Sequence, residues 1–137
     1  MGDALFVIMR WLHFSSMATL IGGLLYGRLV MTPAIGSVSP EAGEALAGKA
    51  AGAYRPMVLA AVCGLIVSGM YNILTNPGHT VMYHMLLGVK LMLALHVFAV
   101  AFLITAPHNP RRARMMTGAI ISGLIILAIA AYLRRIF

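Results

Sequence analysis

The feature that most restricts this chain is how little of it can face water. Four windows of roughly 20 apolar residues, the length that crosses a hydrocarbon core, fit in succession at about 5–31, 57–74, 81–106 and 115–133. Of its 137 residues 61% are hydrophobic and 9% charged, with a mean hydropathy of +0.94, far from the balance of soluble domains. The expectation is an all-α integral membrane four-helix bundle, with residues 1–137 forming one domain. Asp3 precedes the first window, with no basic segment before it and no small-residue cleavage site after a short apolar run, so that window reads as a retained span.

The formal net charge of +7 does not indicate nucleic acid, because the basic residues flank the apolar windows. Arg28, Lys49, Arg55, Arg111, Arg112 and Arg114 lie in the first and third connections, whereas 76–80 has no Lys or Arg. The positive-inside rule then puts those connections in the cytoplasm and both termini in the periplasm of a bacterial inner membrane, with the lipid bilayer as the first partner. A single Cys63 excludes an internal disulfide and any CxxC motif. Ser39 as N-cap, Pro40 at the first helical position and Glu41 predict a short surface helix leading into the second span. Pro77 and Gly78 predict a tight turn and hence an antiparallel hairpin of spans two and three. Small residues four apart (Gly23 and Gly27; Ala60, Gly64 and Ser68; Gly118 and Ser122) suit close helix packing in lipid. The similarity of "GLIVSG" at 64–69 to "GAIISG" at 118–123 is of the kind such stripes produce, and no repeat is read from it.

The stretch "RWLHFSSMATLIGG", residues 10–23, sets Arg10 and His13 one turn apart among apolar and small residues. All three acids, Asp3, Glu41 and Glu44, lie outside the apolar windows, so Arg10 and Lys90 have no intramembrane carboxylate. A cation at mid-membrane costs about 2.5–3.5 kcal/mol even on lenient scales. Arg10 can extend toward the headgroups, but Lys90 sits about ten residues into its span. At 1.5 Å per residue His13 lies about 14 Å deep, Lys90 about 15 Å, Arg10 about 9 Å, His84 about 6 Å and His96 about 24 Å. Tyr71, Asn72, Tyr83, Tyr132 and Arg134 collect on the same side, making the periplasmic half of the bundle polar.

An imidazole ligates iron and cations pair with carboxylates, and a haem presents an iron and two propionates. Non-covalent haem b therefore accounts for His13 as axial ligand together with Arg10, Lys90, Tyr71 and Arg134 around it; there is no C-x-x-C-H for covalent attachment. His96 is the other candidate ligand, yet it lies about 10 Å deeper, and at 100° per residue His84, Lys90 and His96 point in three directions. A five-coordinate iron, Lys90 as ligand, a kinked helix and a second site all remain open. The three directions also motivate a homodimer. The alternative is copper: His79, Met82, His84 and Met85 in "HTVMYHM" form a soft ligand set at the periplasmic entrance.

These residues resemble two related families of small membrane proteins. Arg10-Trp11-Leu12-His13 followed by Gly22-Gly23 and Tyr26 is similar to the opening of the copper-resistance protein D (CopD) domain. Arg10, His13, Gly23, Tyr26 and Arg28, with Lys90 in the third span, resemble HemJ-type protoporphyrinogen oxidases across nearly the whole chain. Leu20 stands where those families usually have tryptophan and Gly27 where the HemJ type has proline. The HemJ resemblance implies a four-helix domain that binds haem b and oxidises protoporphyrinogen IX, with His13 and Lys90 catalytic. Nothing in the chain binds nicotinamide or flavin, so electrons are expected to pass to quinone. The CopD resemblance implies copper movement across the same membrane.

Overall fold

Helix boundaries in the computed structural model, which describes residues 2–77 and 79–136, fall where caps and prolines put them. Helix α1 is Gly2–Tyr26; a π-helical turn, Gly27–Met31, leads into the short α2, Thr32–Ile35. Then come α3, Pro40–Thr75, α4, Val81–Ile104, and α5, Arg112–Ile136. There is no strand among the described residues, and four helical segments are long and apolar enough to cross a bilayer. The chain is an all-α, multi-pass membrane protein. The turn between spans two and three is entered at Asn76, the C-cap of α3, and left at Thr80, whose hydroxyl accepts the Tyr83 N–H at 3.3 Å; Gly78 lies outside the described residues.

Two boundaries differ from the expected ones. The first span does not end near residue 31 but carries on through the π-turn into α2. Thr32 donates both its N–H and its hydroxyl to the Gly27 carbonyl, the hydroxyl at 2.8 Å, and Pro33 follows immediately. Proline has no N–H for the carbonyl four residues back and its ring crowds that carbonyl, so widening the preceding turn relieves both problems. The surface helix expected before span two is not separate: Ser39 caps it, accepting the Ala42 N–H at 3.3 Å, and from Pro40 the helix continues for 36 residues through Pro56 to Thr75. Pro56 has no N–H to give the carbonyl four residues back, yet the helix continues past it.

Helix α1 packs along α3 and α4 along α5. Helix α1 also meets α5, whereas α3 and α4, although joined by a short turn, touch far less. The core sits mostly in the half of the bundle nearer α2 and the α4–α5 connection, here the loop end. Leu24, Val97, Val100, Ile104, Ala119 and Ile126 make one cluster, and Leu20, Val58, Ala61, Val62 and Ala101 a second. At that end Arg112 of α5 caps α4, donating from Nε to the Ile104 carbonyl at 2.9 Å and from Nη2 to the Ala106 carbonyl at 2.7 Å, where a helix C-terminus favours positive charge. The outward faces are apolar, with Trp11, Leu74, Met92 and Leu95 each at least two-thirds exposed, as lipid-facing residues are.

Close approach of α1 and α3 depends on two glycines. The hydroxyl end of the Tyr54 ring fills the space where a Gly23 side chain would stand while its hydroxyl donates to the Thr19 carbonyl at 2.8 Å, and Ser16 fills the space above Gly64. A methyl group at residue 23 must displace the Tyr54 ring and break that bond. Gly23→Ala is therefore expected to destabilise the detergent-solubilised protein by about 1–2 kcal/mol, the upper range for an interhelical hydrogen bond with its packing. Gly22→Ala, whose added atom would meet nothing within 4 Å, should leave the thermal midpoint unchanged. Equal midpoints for the two variants would show that Tyr54 does not hold this pair.

Candidate functional site

In the half of the bundle that carries both termini, the terminal half, polar side chains enter the interior, and buried aliphatic groups thin to a few such as Leu133. His13 of α1 sets Nδ1 2.9 Å from the Ser68 hydroxyl of α3. Ser68 is fully buried, and its hydroxyl also lies 2.6 Å from the Gly64 carbonyl one turn back. A serine hydroxyl has one proton, and a carbonyl can only accept it. The Ser68 proton therefore goes to Gly64, the Ser68 oxygen accepts from His13, and His13 carries its proton on Nδ1. Its Nε2 is left with a lone pair. This is the arrangement by which outer-shell hydrogen bonds orient an imidazole for ligation through the other nitrogen.

Lys90 of α4 is partly buried. Among the described residues no carboxylate is within ion-pair distance of Lys90 and no side chain or carbonyl hydrogen-bonds to it; the ion pair found joins Glu44 to His108 at 3.0 Å, both exposed, at the loop end. Arg10 is served differently. Its guanidinium lies 5.8 Å from the Phe6 ring centre and 5.7 Å from that of Phe14, one turn before and one turn after it on α1, so two aromatic faces offset its charge. The sequence displays that spacing, but reading Arg10 only against carboxylates passes over it.

The other candidates are dispersed. Continuing the α1–α3 register by one turn sets Tyr71 level with Arg10, half-buried and without a recorded hydrogen bond of its hydroxyl among the described residues. Arg134 is exposed in the last turn of α5. His96 does not join His13: it is exposed, on the α4–α5 face, with Nδ1 2.9 Å from the buried Ser122 hydroxyl. Of the copper candidates, His79 stacks on Tyr83 at 3.9 Å between ring centres and Tyr83 meets His84 edge-on at 5.6 Å. Met82 and Met85 are 51% and 68% exposed, so they face outward. Among the described residues no three His, Cys, Asp or Glu side chains gather as a metal group.

Two grooves of about 380 and 350 Å³ lie at the loop end, one beside Glu44 and His108 and the other between the π-turn, α3 and α5. Neither is lined by His13 or Lys90. No protein-family profile, characterised protein or solved structure matches this chain.

An unpaired ammonium held inside a bundle opposes folding, so Lys90→Met should raise the stability of the bare protein by about 1–3 kcal/mol, less than the mid-membrane insertion cost because the lysine stem already packs. Thermal unfolding of the apoprotein in detergent measures this. A loss of stability on that substitution would mean that Lys90 has a resident partner.

Proposed function

We propose that this chain is a haem b-binding redox protein of the bacterial inner membrane, its termini in the periplasm, that oxidises protoporphyrinogen IX and passes electrons to quinone. The observation that carries the reading is the His13–Ser68–Gly64 chain, which leaves a lone pair on His13 Nε2, at the depth that residue counting gives Lys90, a cation with no recorded anion among the described residues. A neutral imidazole with a fixed tautomer suits an axial ligand, and a partnerless ammonium suits a carboxylate brought by something other than the polypeptide. The residues therefore fit the group in kind. The loose contact between α3 and α4 supports entry of a flat ligand from the bilayer.

Bound there, haem b would supply one-electron chemistry. His13 would hold the iron through Nε2, and Ser68 would keep that nitrogen free by accepting the Nδ1–H hydrogen bond. Lys90 would pair with a propionate or with a carboxylate of the porphyrinogen and so position it, and Arg10, set between Phe6 and Phe14, carries positive charge in the same half. The resemblance of Arg10, His13, Tyr26, Arg28 and Lys90 to HemJ-type oxidases supports the choice of substrate.

The test is a visible spectrum of the full chain purified after expression with ample haem, before and after dithionite. A Soret band is expected that disappears in His13→Ala, and Ser68→Ala should weaken haem affinity about 10–100-fold, the usual effect of losing an outer-shell partner. A chain that carries no haem, or a band indifferent to His13, rejects the proposal. Cu(I) binding lost on replacing Met82 and Met85 by Leu, in a chain without a Soret band, would instead favour the copper module.

A further inference from the structure

His96 is a polar side chain turned toward lipid. It lies about 24 Å along the third span, well inside the hydrocarbon, on an outward strip with Met92 (74% exposed), Leu95 (67%) and Leu103 (51%). Its Nδ1 is held by Ser122, and its Cε1 passes above Gly118 of α5. Nε2 has no partner among the described residues. Lipid offers no hydrogen bond at that depth, and an unsatisfied polar group there costs several kcal/mol.

The two histidine–serine pairs of this protein differ in one respect. At Ser68 the hydroxyl proton is committed to Gly64, so the His13 tautomer is fixed. Ser122 has no hydrogen bond among the described residues other than that to His96, so it can either donate to Nδ1 or accept from it. Nε2 of His96 can accordingly be a lone pair in one copy of the chain and an N–H in another. A second copy related by a two-fold axis along the membrane normal places its own His96 at the same depth by symmetry, and opposite tautomers then satisfy both rings. No charged residue lies on the strip, and Gly88 and Ala99, both exposed, allow close approach of two α4 helices.

We infer that the protein dimerises in the membrane through the α4–α5 face around His96 and Ser122, with the two His96 rings hydrogen-bonded Nε2 to Nε2 across the two-fold axis. The inference stands apart from cofactor binding at His13. It is tested on the full chain with Cys63→Ser as background. Met92→Cys and Leu95→Cys are expected to give oxidative dimers in native membranes, and Trp11→Cys and Val67→Cys, on outward faces of α1 and α3, only monomer. In nanodiscs diluted with lipid, His96→Leu should raise the dimer dissociation constant roughly three- to tenfold, the range for one interhelical hydrogen bond. His96→Leu combined with Ser122→Ala, which removes the serine left without a partner, should do the same at unchanged helix content, and His96→Asn, whose amide can both donate and accept, should recover most of the loss. Monomer at every dilution, crosslinking dominated by Trp11→Cys or Val67→Cys, or a dissociation constant unmoved by His96→Leu would overturn the inference. A Soret band shifted by His96→Leu at unchanged oligomeric state would assign Nε2 to a ligand and overturn it as well.

Discussion

Inside hydrocarbon every polar atom must find its partner in protein, and that requirement sets what each polar residue of this bundle can be doing. The hydroxyl of Ser68 illustrates it. Buried between α1 and α3, it donates a hydrogen bond to the Gly64 carbonyl of its own helix and accepts one from His13 Nδ1, which fixes the tautomer of the imidazole. Tyr54 acts in the same way toward the loop end, where its hydroxyl meets α1 carbonyls at Thr19 and Leu20. Gly23 beside the Tyr54 hydroxyl and Gly64 beside Ser16 let the backbones approach, so hydrogen bonding and close packing fix a single register for the pair.

The same requirement divides the molecule lengthwise. At the loop end leucine, valine and alanine from all four spans interlock, and Arg112 caps α4. In the terminal half the helices present His13, Lys90 and Tyr71 in place of aliphatic groups. An unpaired cation costs about as much as a good core residue contributes, so a half of this kind is retained only because the other half supplies the stability. Polar, under-satisfied regions supported by a packed scaffold are where binding sites occur, and the proposed function rests on this asymmetry.

How much of this was legible in the sequence depends on how far each interaction reaches. The spans and the Ser39–Pro40 start follow from hydropathy and capping, which are local, and the sequence shows both, although it divides α3 where the structure does not. The depths of His13 and Lys90 follow from a fixed rise per residue, and the three directions of His84, Lys90 and His96 from a fixed rotation. Ser68 was visible only as one small residue in a stripe, because its hydrogen bond joins residues 55 apart and depends on a register that no local signal specifies. The echo of "GLIVSG" in "GAIISG" becomes meaningful at the same level: the serine of each segment meets a histidine of the neighbouring helix, His13 in one pair and His96 in the other.

Arg10 and Lys90 show why the type of cation matters. A guanidinium is planar and weakly hydrated, so aromatic faces can hold it, and Phe6 and Phe14 stand at the two positions from which they can. An ammonium is a compact, strongly hydrated charge that needs hydrogen-bond acceptors around it, and the described residues offer Lys90 none. Had the chain only needed a cation to anchor the bundle at the headgroups, the arginine and its two rings would have sufficed. On the proposed reading, a partly buried lysine at the depth of His13 would meet an anion that arrives from outside the polypeptide. A carboxylate on a flat apolar molecule would meet it at lower cost than a hydrated ion, because the molecule's apolar body displaces lipid while its charge is neutralised at the ammonium.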